Sequence, residues 1–149
     1  MKKVILLFLG GFSVFVAFSQ DRNGPPDNIR QSFQKQYPQS QPNQWKHTGG
    51  SWNVNFEDRD HDNGESTAHF DRTGRHVDTH IPYDNQDVPA PVMDRMQNRY
   101  PGSDSYAFTR IERGDGHPVF QVHFRQRRKF RTLYVDEGGR ERQYQDRHN

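Results

Sequence analysis

The sequence predicts an α+β fold: a tandem repeat of one helix plus about four antiparallel strands, with the helices packed on one face of the sheet. Three observations predict it. Tyr37-Pro38 recurs as Tyr100-Pro101, each closing a run of apolar residues spaced by four. The alternating segments Trp52-Asn53-Val54-Asn55-Phe56 and Phe120-Gln121-Val122-His123-Phe124 follow in the same order. Then Phe70-Asp71-Arg72-Thr73-Gly74-Arg75 matches Val135-Asp136-Glu137-Gly138-Gly139-Arg140. Similar pieces in one fixed order are the mark of a repeated supersecondary unit.

The chain opens on Met1-Lys2-Lys3 and an apolar run over 4–18, with small residues at Ala17 and Ser19. This is a basic n-region, an h-region and a signal-peptidase site, so cleavage is expected after Ser19. The run is about 15 residues, short of the ~20 that span a bilayer. No stable membrane span is expected after cleavage, and the absence of cysteine excludes a lipid-modified anchor and any disulfide. The expected location is periplasmic or secreted. The expected division is a signal peptide over 1–19, a first repeat over 20–81, a linker over 82–87 and a second repeat over 88–149.

The helices come next. Ile29, Phe33 and Tyr37 are spaced by four, as are Val92, Met96 and Tyr100, which gives each segment one apolar stripe. Pro26 and Pro89 suit a first helical turn, and the proline after each tyrosine ends the helix. Strands are expected near 44–47, 51–57, 65–70 and 76–81, and again near 105–112, 119–124, 129–135 and 140–144. Period-two alternation aims Trp52, Val54, Phe56, Ala68, Phe70, Phe120, Val122, Phe124, Leu133 and Val135 at the helices. Gly74 and Gly139 supply the positive φ of tight turns.

The ordered set of motifs resembles the bacterial PepSY-like family, also described as β-lactamase-inhibitor-like. The residues that carry it are Trp45, Trp52-x-Val54-x-Phe56, Phe70-Asp71-x-x-Gly74, Val88-Pro89 and Tyr100-Pro101. The resemblance covers nearly all of the mature chain. It implies a tandem αβ fold whose sheet presents a surface to a protein partner. It implies no catalytic residues.

Charge narrows the function. Without its two leader lysines the chain carries 19 Lys+Arg against 19 Asp+Glu, so nothing in its balance asks for nucleic acid. The charge is unevenly placed: residues 110–149 hold ten basic and six acidic side chains, and residues 20–109 hold nine and thirteen. The densest basic run is Arg125-Gln126-Arg127-Arg128-Lys129-Phe130-Arg131. It fits an anionic glycan, a lipid headgroup or an acidic protein patch, or else a hairpin loop kept soluble by its charge.

The strand faces turned from the helices carry Asn53, Asn55, His69, Gln121, His123, Thr132 and Tyr134, with Phe130 near the edge. Tyr134, Phe130, His123, Arg125, Arg127, Arg128, His69, Asn53 and Asn55 are the expected partner-binding residues, because aromatics and arginine dominate interface energetics. His76, Asp78 and His80 alternate on one strand and could take zinc with a partner such as His69; solvated polar side chains are the preferred reading. Asp58, Asp60 and Asp62 have the start of a calcium loop without its glycine or its closing glutamate. No cofactor is expected, and no nucleophile motif stands out. The expectation is an exported, non-enzymatic protein-binding module of inhibitory type with an unknown protein partner. The alternative is a binder of a metal or of an anionic glycan or lipid headgroup.

Overall fold

The computed structural model describes residues 24–58, 64–114 and 116–144, with the side chains of residues 104 and 105 excepted. The expected signal peptide lies outside the described residues. So do Asp60 and Asp62 of the calcium-like loop.

Among the described residues, two helices and seven strands follow in the order α1 (Asp27–Gln36), β1 (Pro42–Thr48), β2 (Ser51–Glu57), β3 (Glu65–Phe70), β4 (His76–Tyr83), α2 (Ala90–Arg99), β5 (Asp104–Arg113), β6 (Val119–Gln126) and β7 (Lys129–Asp136). All seven strands join one antiparallel sheet in sequence order.

This overturns the tandem repeat of a helix plus about four strands. β4 does not close a unit of its own. It continues through Tyr83 and pairs with β5 from Asp78↔Arg113 to Tyr83↔Phe108, making one sheet of what the motifs divide in two. The physical reason is the edge: an unpaired strand exposes a row of N–H and C=O groups, and joining β4 to β5 satisfies two such rows at once. The second half has three strands. Residues 140–144, expected as a fourth, make one isolated bridge, Val135↔Glu141. They lack the alternating apolar residues that would hold a strand to a core.

Each helix forms as its stripe requires. Neither has a side-chain cap; Pro26 and Pro89 occupy the N-cap positions, and the Tyr37 and Tyr100 amides donate to Phe33 and Met96 to close the last turns. α1 buries Ile29 and Phe33 against Val54, Phe56, Ala68 and Phe70. α2 buries Val92 and Met96 against Phe108, Phe120, Val122, Phe124 and Val135. Cross-strand partners share a face. The row Val54–Ala68–Thr79–Glu112 and the row Phe108–Val122–Leu133 therefore place both helices on the same side.

The Asp-x-x-Gly turns clamp the sheet to the helices. Asp71 accepts hydrogen bonds from the Thr73 amide and hydroxyl and from the Arg75 amide and guanidinium. Desolvation works against its ionisation, but these donors outweigh it and lower the carboxyl to about 2. Gly139 has φ +77°, and a Cβ there would lie 2.4 Å from the Pro91 carbonyl oxygen, so backbone of turn and helix meet where only glycine fits.

Candidate functional site

The sheet face turned away from the helices is built by the same registers. One row across it reads Asn53–His69–Asp78–Arg113, and the next reads Asn55–Thr67–His80–Ile111–Val119–Asp136. A third row reads Thr109–Gln121–Tyr134, and a fourth Ala107–His123–Thr132.

A bulge decides which histidines share this face. His69 pairs with Asp78, but Phe70 pairs with His76, so Val77 is an extra residue in β4. An inserted residue reverses the alternation beyond it. His76 therefore drops to the helix side, with its Nε2 3.5 Å from the Tyr37 hydroxyl and 2.7 Å from Thr79 Oγ1. The expected set His76, Asp78, His80 is not assembled. His69, Asp78 and His80 come together instead.

Asp78 is the centre of that group and is 3 % exposed. Its Oδ1 accepts a 2.7 Å hydrogen bond from His69 Nδ1, and His80 Nε2 lies 3.5 Å away. Its Oδ2 accepts a 2.8 Å hydrogen bond from the Tyr144 hydroxyl. Burial alone would raise this carboxyl, but the hydrogen bonds of His69, His80 and Tyr144 reverse that and hold it far below the ordinary range. The two imidazoles meet edge to face at 4.8 Å.

Tyr144 arrives from beyond β7. The Arg142 amide donates to the Tyr134 carbonyl at 2.8 Å, after which the chain crosses the open face. The Tyr144 ring stacks on Tyr134 at 4.7 Å, with the Arg113 guanidinium 5.9 Å from its centroid. Ile111 and Val119 are buried on this face. Sequence reasoning named His69 as a partner for Asp78 and His80 but missed Tyr144 and Ile111. Local periodicity does not reveal a contact between residues 66 apart.

The other end of the face differs. Gln126↔Lys129 closes a two-residue hairpin whose tip residues, Arg127 and Arg128, have φ of 48° and 66°. Positive φ at both positions normally selects Asn-Gly, because a side chain there crowds its own backbone. Beside this tip Phe130 is 82 % exposed, the large hydrophobic left uncovered among the described residues. Arg125 is its direct cross-strand partner.

The expected partner-binding residues thus fall into groups. Phe130, Arg125, Arg127 and Arg128 cluster at the β6–β7 tip. His123 stands exposed next to it, with its Nδ1 2.9 Å from Thr132 Oγ1. Asn53 and Asn55 are half-buried, and Asn55 engages Glu65 and Thr67. His69 is 7 % exposed. Tyr134 lies half-buried beneath Tyr144. A cleft of about 530 Å³ between the tail and β5–β7 is lined by Arg113, His117, Arg140 and Arg142. Arg140 and Arg142 are already paired with Asp136, which weakens its pull on an anion.

This architecture is shared with solved structures. A DUF2874 family protein from Bacteroides uniformis superposes with a TM-score of 0.71 at 15% identity, covering 79% of this chain and 86% of that one. Its counterpart from Bacteroides ovatus gives 0.70 at 19%, over 80% and 85%. A BLIP-like protein from Bacteroides fragilis gives 0.66 at 21%, over 85% and 89%. The fold is BLIP-like. At these identities the likeness is one of fold alone: it supports a BLIP-like fold and not PepSY-like membership specifically. No family model matches the sequence, and no curated protein matches it. No helix among the described residues is long and apolar enough to cross a membrane.

Proposed function

We propose that this chain is an exported, non-enzymatic protein-binding module that docks an acidic protein surface through its β6–β7 hairpin and acts by steric cover, as an inhibitor of a periplasmic or extracellular enzyme would. The observation that carries the reading is the hairpin tip. An exposed phenylalanine stands beside two arginines held in left-handed backbone, a conformation that costs about 1–2 kcal/mol per residue and that glycine or asparagine would relieve. Strain kept at an exposed tip fits a surface selected for contact rather than for stability. Phe130 is the anchor, His123 flanks it, and Arg125, Arg127 and Arg128 steer the partner.

Three further features support the reading. The leader-like N-terminus supports export to the periplasm or beyond. The BLIP-like fold supports an inhibitory mode. The motif set that resembles the PepSY-like family supports a sheet that presents a surface to a protein. Tyr134 leaves the list of anchors, because Tyr144 covers it.

The experiment is capture of partners from the producer's cell envelope on immobilised mature protein, at low and at physiological salt. Steering by arginine makes association faster at low salt. Phe130→Ala combined with Arg127→Ala and Arg128→Ala should abolish capture of whatever acidic protein the wild type retains. Unchanged capture by the triple variant would remove the hairpin as the binding site.

A further inference from the structure

We propose that His69, Asp78 and His80 form a binding site for a divalent transition-metal ion of the zinc class. The site is distinct from the hairpin and does not depend on the docking proposal.

The ligand set is the first ground. Two neutral imidazoles and one carboxylate are the donors that zinc and its first-row neighbours prefer, whereas calcium and magnesium take all-oxygen sets. The geometry is the second. One donor atom from each of the three residues lies within 4.8 Å of the others. A tetrahedral ion with bonds of about 2.0–2.2 Å sets neighbouring donors roughly 3.3–3.6 Å apart. The 3.5 Å from Asp78 Oδ1 to His80 Nε2 lies in that range and the 2.7 Å to His69 Nδ1 just below it, so side-chain rotations bring the donors onto one ion.

Placement is the third ground. All three residues project from adjacent strands β3 and β4, and a sheet holds ligands more rigidly than a loop does. The bulge at Val77 removes His76 from the face and leaves these three together. Tyr144 holds the second carboxylate oxygen, as an outer-shell donor orients a ligating carboxylate. In the same cross-strand row, directly opposite His69, Asn53 buries its side-chain oxygen with no hydrogen-bond donor among the described residues. Such an acceptor suits a neighbouring cation or its bound water.

Without an ion the same side chains form a hydrogen-bonded polar cluster. The two states differ in what the ring nitrogens do, and that difference is measurable on the wild type. Zn²⁺ added to mature protein should shift the imidazole ¹⁵N resonances of His69 and His80 and leave those of His76 and His123 in place. Co²⁺ should give ligand-field bands that Zn²⁺ abolishes by competition. His69→Ala and His80→Ala should each weaken Co²⁺ affinity at least ~100-fold, beyond the loss expected from an outer-shell change, while His123→Ala leaves it unchanged. Three results would overturn the proposal: no bands at millimolar Co²⁺, bands that persist in the His69→Ala/His80→Ala variant, or ¹⁵N shifts confined to other histidines. The NMR measurement needs no variant, so a misfolded substitution does not decide the question.

Discussion

The two halves of the helix face solve one packing problem by different means. Under α1 the core turns on a single ring. Phe33 meets Trp45, Phe56 and Phe70 edge to face at 5.6, 5.3 and 6.5 Å and the Tyr37 ring at 5.4 Å. Under α2 the load is spread over Val88, Val92, Met96, Phe108, Phe120, Val122, Phe124 and Val135, with Met96 where Phe33 stands in the first half. A methionine adapts to its neighbours, while an aromatic hub imposes its geometry on them. The halves also end differently. The first hands β4 on to β5; after β7 the second sends residues 142–144 across the open face. Similar local sequence therefore does not make two similar units, because each half is completed by what it meets in three dimensions.

The contrast is sharpest in the cores. Phe33→Ala should cost about 3–5 kcal/mol and Met96→Ala less, nearer ~2–3 kcal/mol, in denaturant unfolding. Both tryptophans lie in the first half, so their fluorescence reports that half, while circular dichroism reports the whole sheet. If β4–β5 pairing makes one cooperative unit, the two signals should coincide in each variant. Separate midpoints would break the chain into two folding units. Trp52 is only half-buried, so Trp52→Ala should fall short of Phe33→Ala.

The turn glycines extend the comparison. Both have positive φ, but a Cβ on Gly74 meets side chains and backbone of α1 at 3.1–3.2 Å, whereas one on Gly139 meets the Pro91 carbonyl at 2.4 Å. Left-handed backbone at a non-glycine residue costs of order 1–3 kcal/mol. Gly139→Ala should sit at or above the top of that range and Gly74→Ala near the bottom, measured as loss of unfolding free energy. Equal losses would mean that the turn relaxes away from α2.

A smaller asymmetry is set by pH. Burial pushes Tyr37 up to about 12, partly offset by its hydrogen bond with Thr79. A phenol raised above its unfolded value near 10 contributes stability that is complete below about pH 10 and is lost as pH rises toward 12. At most about 2–3 kcal/mol is involved, at roughly 1.4 kcal/mol per unit. Tyr37→Phe should flatten that part of the alkaline limb. Tyr100 is raised in the same direction by burial, so its phenylalanine variant measures how far the second half shares the effect.

The smallest effect concerns the β6–β7 tip. Replacing Arg127 with Asn and Arg128 with Gly should stabilise the protein by ~1–2 kcal/mol, because Asn-Gly accepts the positive φ that arginine resists. The same variant should lose affinity for an acidic partner. A gain in stability without that loss would make the tip a tolerated irregularity.

Much of this was legible in the sequence, and the reason is physical. Four-residue spacing, two-residue alternation, Tyr-Pro ends and Asp-x-x-Gly turns act over a few residues, so the sequence by itself determined both helices, seven of the eight strands it predicts and the apolar side chains that face the helices. It placed Phe130 and the hairpin arginines for the same reason. What only the tertiary structure decided depends on distant partners. β4 joined β5 instead of closing a repeat, one extra residue at Val77 moved His76 off the face, and Tyr144 came down on Asp78 from 66 residues away. Each of these follows from satisfying buried polar groups and sheet edges across the whole molecule, a condition that no local pattern contains.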